Sequence, residues 1–194
     1  MRAFYRYSAP VDGVINDASI NTGQPVPPEE LQRLGVQLSQ VGIGLQALEQ
    51  AKSEAQRSGY PNVDGIKFDA ESLSEDQFKA FQKLVETVTT QNTVLIHQLQ
   101  FLWHSYSEDI FFDIQDPIRN KWIRVELRDG VLLDLPAGLT FRLGLNLQVL
   151  RTGSMTLFMK DPGAGLDHFI TGKHIALGKD ADEHRVAYLK ALES

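Results

Sequence analysis

The chain has 194 residues, of which 42% are hydrophobic and 23% charged, a composition typical of globular domains rather than of disordered or fibrous proteins. The net charge of −6 and the lack of a basic segment argue against nucleic-acid partners, because such binding needs Lys and Arg. The absence of cysteine excludes thiol nucleophiles, iron–sulfur clusters and disulfides, and no apolar run is long enough for a membrane span. We therefore expect a cytoplasmic protein without nucleic-acid or membrane partners.

The first half of the chain predicts three helices, after extended segments and turns in residues 1–26 with at most a short strand near residues 4–7. Pro and acidic residues at 27–30 are typical of a helix start, and Gly35 favours an early end. A second helix ends at the stop signal of residues 59–61. Ser74 and Gln77 form a capping box that begins a third helix. The apolar stripes are Leu45, Leu48, Ala51 and Ala55 in the second helix, and Phe78, Phe81, Leu84, Val85 and Val88 in the third.

From Asn92 onward the pattern changes to short runs rich in Val, Ile, Leu, Phe and Trp that are separated by turn residues. The predicted strands are residues 93–104, 110–114, 122–127, 131–135, 140–143, 147–151 and 155–158. We predict a hairpin turn at residues 107–109. Seven short strands in about 70 residues are typical of a small antiparallel barrel or a double-sheet jelly roll.

The fold class that follows is mainly β with flanking helices: an antiparallel β-barrel preceded by about three helices and followed by a C-terminal helix. We expect a single domain over residues 1–194. Within it, residues 1–91 are a mostly helical part that packs on the barrel, residues 92–160 form the barrel, and residues 161–194 form a loop and the last helix. Val186, Leu189 and Leu192 lie at helical spacing in that last segment.

The β-rich part of the sequence contains four short motifs in the order FFDIQD (residues 111–116), WIR (122–124), DGV (129–131) and LPAG (135–138). In order and spacing they resemble the barrel signature of the acireductone dioxygenases, which are cupins. Residues 28–36 extend the resemblance upstream, and residues 157–158 and 161–162 extend it more weakly downstream. The resemblance implies a cupin fold. It also implies a dioxygenase reaction in which Fe or Ni, held by three His and one Glu, cleaves an acireductone.

The resemblance also fixes the positions at which the four metal ligands would stand. They fall on Leu95, His97, Phe101 and Phe141, so that only His97 retains a donor. One imidazole does not hold iron or nickel. We therefore expect no metal and no cofactor. Two other donor groups stay open as alternatives, one at residues 104–108 (HSYSE) and one formed by Asp167, His168 and His174.

Strand alternation within residues 93–104 predicts which side chains face the barrel interior. His97 is the candidate catalytic residue, as a general acid or base or as a hydrogen-bond partner with a depressed pKa. The residues predicted to bind substrate are Leu95, Leu99, Phe101, Trp103 and Phe141. Weaker candidates are His104, Tyr106, Trp122 and Arg124, whereas Arg142 should point away from the pocket because it is adjacent to Phe141.

Together these observations predict a metal-independent cupin that acts on a small, largely apolar metabolite. Isomerisation, elimination or addition, and cyclisation, including pericyclic ring formation, need no metal and fit an isomerase, lyase or cyclase. A noncatalytic ligand-binding cupin and a dioxygenase with an atypical metal site are the alternatives. A filled cavity with a core histidine is the plain structural interpretation. A homodimer is a further option, because cupins often pair through strand edges.

Overall fold

A computed structural model describes residues 2–6, 21–68, 72–104, 110–145, 154–161 and 163–193. Five helices lie in these ranges: α1 (Pro28–Arg33), α2 (Leu45–Arg57), α3 (Glu75–Thr90), α4 (Leu166–Ile170) and α5 (Gly178–Leu192). The strands of the described residues are β1 (Arg2–Arg6), β2 (Asn21–Pro25), β3 (Gln37–Gln40), β4 (Ile66–Phe68), β5 (Thr93–Leu95), β6 (Leu99–His104), β7 (Ile110–Asp116), β8 (Lys121–Leu127), β9 (Val131–Leu135), β10 (Thr140–Gly144), β11 (Ser154–Met159) and β12 (Ile175–Ala176).

The strands form two antiparallel sheets, which we call sheet A and sheet B. Sheet A has the order β12-β5-β10-β7-β8-β1-β2, and sheet B has the order β3-β9-β6-β11-β4. Among the described residues the outer strands of each sheet do not pair with those of the other. The predicted closed barrel is therefore wrong, whereas the mainly β fold with two antiparallel sheets is confirmed.

Most predicted strands are present, but the long run 93–104 divides into two. β5 pairs with β10 in sheet A, and β6 pairs with β9 and β11 in sheet B, so residues 96–98 carry the chain from one sheet to the other. The predicted hairpin after β6 is also wrong, because β6 and β7 belong to different sheets. The predicted strand 147–151 lies outside the described residues.

The main core lies between the inner faces of the two sheets. β6 shows the expected alternation, since Phe101 and Trp103 are buried in this core, whereas Leu102 packs with α2 in a second cluster on the outer face of sheet B. In sheet A, Phe141 and its neighbours on β7 and β8 face the same core. Burial of these apolar surfaces is the main favourable contribution to folding.

The three helices before the β-rich part are confirmed, and so is the capping box. The Ser74 hydroxyl accepts from the Gln77 amide, and the Gln77 side chain accepts from the Ser74 amide, which satisfies two N–H groups at the start of α3. The buried face of α2 differs from the prediction, because Leu45 is exposed and Ala47 takes its place beside Ala51 and Ala55. None of the helices in the described ranges has the length and apolar character that a bilayer crossing requires.

The C-terminal helix is confirmed as α5, but its buried face also differs from the prediction. Val186 is exposed, whereas Ala181 and Tyr188 are buried. The Tyr188 hydroxyl donates to the Leu34 carbonyl over 3.0 Å and so ties α5 to the end of α1. Gly138 permits this contact, because its φ is +82° and a Cβ there would lie 2.4 Å from Tyr188 Cβ.

The N-terminal part of the chain contributes strands to both sheets. β1 pairs with β8 and with β2 in sheet A, and β3 and β4 form the two edges of sheet B. The four strands before residue 92 therefore extend both sheets, and the boundary expected at residue 92 does not separate a helical part from a β part.

Candidate functional site

A cavity lies between the sheets next to α3 and α4. The space that the centre of a water molecule can occupy is about 30 Å³, and the whole empty space, including its mouth, is about 400 Å³. The walls come from α3, both inner sheet faces, Leu145 and the segment that begins with α4. Thirteen residues line it: Phe81, Leu84, Val85, Val88, Leu99, Phe101, Phe112, Phe141, Leu143, Leu145, Met155, Phe169 and His174.

Three phenylalanines from two sheets form the centre of this lining. The Phe101 ring meets the Phe112 ring edge-on at 5.2 Å between centroids, and the Phe112 and Phe141 centroids are 5.9 Å apart. Strand alternation explains the arrangement, since each side chain lies on the inner face of its strand. Phe101, Phe141 and Leu99 are thus brought together at the cavity as predicted. Leu95 and Trp103 belong to the same buried core but do not line the cavity.

The one titratable side chain in the lining is His174, at the end of the segment that follows α4. It is buried, its ring stacks on Phe169 at 4.6 Å between centroids, and its Nδ1 has no hydrogen-bond partner. Burial, together with smaller contributions from the nearby His168 and His97, lowers the pKa of His174 to about 3. His174 is therefore neutral at neutral pH, with one nitrogen able to donate and the other able to accept.

His97, the predicted catalytic residue, does not line the cavity. Its side chain is 40% exposed, and its Nε2 lies 3.7 Å from Asp161 Oδ2. His168 approaches the same carboxylate oxygen, with its Nε2 at 3.3 Å. His97 is absent from the cavity lining because it lies in the link between β5 and β6. The alternation of side chains along a strand does not continue through residues that pass from one sheet to the other. The imidazole with a depressed pKa at the cavity is that of His174.

Three of the four weaker candidates also lie away from the cavity. His104 ends β6 with its Nδ1 3.6 Å from Asp129 Oδ1, and burial lowers its pKa while Asp129 opposes that shift. Trp122 and Arg124 lie on the outer face of sheet A, where Arg124 donates to Asp113 at 2.8 and 2.9 Å. Arg142 shares that face, as predicted. Tyr106 and residues 105–108 of the alternative donor segment lie outside the described residues.

Sequence reasoning missed His174 as a cavity residue, because we interpreted residues 161–179 as a loop. The trio of Asp167, His168 and His174 does not converge. Asp167 accepts from Gln77 Nε2 at 3.0 Å, His168 faces Asp161, and His174 lines the cavity. The available signal was the apolar pair Phe169 and Ile170 before His174, which indicated that this part of the tail is buried.

The fold and the site together define a class of protein: two open antiparallel sheets, flanked by helices, that hold an apolar cavity with one imidazole. No family model matches the chain. Among curated proteins, the acireductone dioxygenase of Yarrowia lipolytica is 24% identical over 187 residues, which covers 92% of this chain and 96% of that protein. The acireductone dioxygenase of Puccinia graminis f. sp. tritici is 23% identical, with 88% and 82% covered. Over most of its length the chain is therefore similar to acireductone dioxygenases.

Solved structures give a weaker comparison. A chain described as acireductone dioxygenase from Bacillus anthracis, with a cadmium ion in its active centre, is 16% identical with a TM-score of 0.48. The comparison covers 78% of this chain and 94% of that one.

The residues of this chain do not fit the metal that the family resemblance implies. Of the four positions at which the resemblance places ligands, Leu95 is a core residue, Phe101 and Phe141 pack against Phe112, and His97 is turned toward Asp161. Among the residues that the structure describes, no group of three His, Asp or Glu side chains is arranged to hold a metal ion. The function proposed below therefore does not use a metal ion.

Proposed function

We propose that the protein binds a small, uncharged, largely apolar molecule in the cavity and acts on it without a metal ion. The observation that carries this proposal is the unpartnered Nδ1 of His174 in an otherwise apolar lining. A buried polar atom without a partner costs free energy, so a ligand with one hydrogen-bonding group gains by pairing with it. A charged ligand is disfavoured, because no charged side chain lines the cavity.

His174 takes the hydrogen-bonding role that the sequence assigned to His97. Because its pKa is lowered to about 3, it is neutral and able to hydrogen-bond a carbonyl or hydroxyl group, but it is a weak base at neutral pH. The aromatic walls can hold a flexible molecule in one conformation. Isomerisation and cyclisation that are guided by shape need this combination of one hydrogen-bonding group and a shaped apolar site. A catalytic role of His97 itself stays a prediction.

A second candidate is a noncatalytic binder, which the small volume favours. The 30 Å³ open to water centres suffices for about two water molecules, since one needs roughly 10–15 Å³ by this measure. A ligand larger than a few heavy atoms therefore extends into the mouth or requires α4 to shift. Binding without turnover would support this candidate.

Phenol, which carries one hydroxyl on an apolar ring, is a suitable probe, with benzene as the apolar control and benzoate as the charged control. We expect phenol to stabilise the protein in thermal unfolding more than either control, because it alone matches both the walls and His174. His174→Phe should lower the phenol effect to that of benzene, since an aromatic ring is kept and the polar group is lost. His97→Gln is the matched control and should leave the effect unchanged.

The opposite pattern would contradict the proposal. If phenol and benzene act equally on the unaltered protein, or if only His97→Gln abolishes the phenol effect, His174 is not the polar group of the site. Once a substrate is identified, turnover that is lost in His174→Phe but kept in His97→Gln would favour the enzyme over the noncatalytic binder.

A further inference from the structure

A second concave site lies on the outer side of sheet A, between the end of α3 and the start of α5. Water centres can occupy about 720 Å³ of this groove, compared with about 30 Å³ in the cavity. The two sites share no lining residue and are separated by the sheet, since Thr140 faces the groove and Phe141 faces the cavity. Its volume lies in the range of small-molecule sites.

The part of the groove at the sheet has unused hydrogen-bonding groups. Thr140 is 5% exposed, and its hydroxyl has no hydrogen-bond partner. Next to it, Asn92 Oδ1 accepts from Arg142 Nε at 2.7 Å, which fixes the amide of Asn92. The amide nitrogen of Asn92 has no partner among the described residues. A ligand in the groove can therefore pair with a buried hydroxyl and an oriented amide.

The wall that α5 contributes carries two opposite charges. Asp182 and Arg185 lie three residues apart and both line the groove. Within the described part of the chain neither forms an ion pair, and the one hydrogen bond of the Arg185 guanidinium is a long one, 3.4 Å, to Gln115 Oε1. The groove thus presents one carboxylate and one guanidinium for which the described residues supply no ion-pair partner.

We propose that this groove binds a small zwitterion, namely a free α-amino acid. Arg185 would bind the ligand carboxylate, because its planar guanidinium matches a carboxylate in two hydrogen bonds. Asp182 would bind the ammonium group, and Thr140 and Asn92 would take the remaining polar atoms. A ligand with one charge satisfies only one of the two wall groups and therefore binds less tightly.

The experiment is an NMR titration of the full chain with the standard L-amino acids, each tested singly, with propionate and ethylammonium as single-charge controls. We expect at least one amino acid to bind with a Kd of about 1 mM or tighter and to shift the backbone amide signals of Thr140 and Asn92. Arg185→Gln and Asp182→Asn should each weaken binding by about tenfold or more. Glu183→Gln, an exposed change on α5 outside the groove, is the matched control and should have no effect.

Three results would overturn this inference. One is that no amino acid shifts the Thr140 and Asn92 signals. Another is that propionate binds as tightly as the best amino acid, which would define a simple anion site. The third is that Asp182→Asn binds like the unaltered protein. These readouts are independent of His174, so failure here and failure of the cavity proposal are distinguishable.

Discussion

His174 is the residue on which the chemistry of the cavity depends. It combines burial, a stacked neighbour in Phe169 and a ring nitrogen without a partner. Burial favours the neutral imidazole, because the charged form would lose its hydration and gain no counterion in the cavity. The same preference makes His174 a source of pH-dependent stability.

Burial lowers the pKa of His174 to about 3 from its ordinary 6.5. Above pH 6.5 the imidazole is neutral in both the folded and the unfolded chain. Between these two values only the unfolded chain is protonated, so the free energy of unfolding falls as the pH falls, by up to about 1.4 kcal/mol per pH unit. Urea unfolding of the unaltered protein and His174→Phe over this range should show a shallower pH dependence in the variant.

Phe169→Leu is the control, because it alters the stacked neighbour but keeps the imidazole. It should lower stability at every pH and retain the pH dependence of the unaltered protein. Equal pH dependence in His174→Phe and the unaltered chain would show that His174 is protonated in the folded state, and the role assigned to it would be wrong.

At the residue scale, sequence reasoning placed two phenylalanines of the cavity but not its histidine. Phe101 and Phe141 were correctly placed at the cavity, because β6 and β10 are regular and their alternation is reliable. His97 was misplaced because it is the middle one of the three residues, 96–98, that link β5 in sheet A to β6 in sheet B. The passage of the chain from one sheet to the other cannot be recognised in the sequence, because the residues of this run all favour strands.

At the scale of secondary-structure elements, α4 is the part of the cavity wall whose position depends most on packing. A helix of five residues is not stable alone, so burial of Phe169 and Ile170 must hold it in place. The Thr171 hydroxyl adds a hydrogen bond to the Asp167 carbonyl at 2.6 Å. A ligand larger than the enclosed space must either extend into the mouth of the cavity or displace this helix.

Phe169→Ala should destabilise the protein by about 3–5 kcal/mol, because it removes a buried ring and leaves a space that the walls fill only in part. Phenol should raise the melting temperature of this variant more than that of the unaltered protein, since the enlarged cavity admits it more easily. Ile118→Ala, at a position 51% exposed, is the control and should change stability by no more than about 0.5 kcal/mol. A loss below about 1 kcal/mol in Phe169→Ala would mean that α4 does not form this wall.

The elements themselves were largely predictable, because α1, α3 and most strands carry strong local signals such as the capping box and the period-two pattern. The assignment of each strand to sheet A or sheet B could not be predicted. β5 and β6 look like one run, and β1 to β4 are short or carry few apolar residues. Their pairing depends on partners that lie far away in the sequence.

At the scale of the whole molecule, an ionic cluster on sheet A joins the N-terminal strand to the rest of the fold. Asp113 on β7 is fully buried, accepts two hydrogen bonds from Arg124 on β8, and pairs with Arg6 on β1. This arrangement explains why Arg124 serves the fold rather than the cavity. Charges that are buried in this way are strongly interdependent.

Asp113→Ala should lower the free energy of unfolding by about 3–5 kcal/mol, because it leaves buried guanidinium groups without their carboxylate. Asp64→Ala provides the comparison, since that carboxylate is 86% exposed and lies 3.6 Å from Lys52; its loss should cost no more than about 1 kcal/mol. Chemical unfolding of both variants measures the difference. Similar small losses in the two would show that the cluster does not stabilise the attachment of β1.

The resemblance to acireductone dioxygenases implies a metal site, but the described residues of this chain do not form one. The motifs of the sheets are kept, but three of the four positions that the resemblance assigns to metal ligands hold Leu95, Phe101 and Phe141. The single remaining donor, His97, faces Asp161 instead of the cavity. The central claim is therefore that this chain forms an apolar cavity with His174 and holds no metal ion at the positions that the resemblance assigns to ligands.

The most direct test of that claim is the metal content of the full-length protein, measured by mass spectrometry after expression in medium with added iron and nickel. The account predicts far less than one metal ion per chain, with no change in melting temperature after treatment with a chelator. Close to one iron or nickel ion per chain, lost on chelation and absent from His97→Ala or His174→Ala, would contradict it.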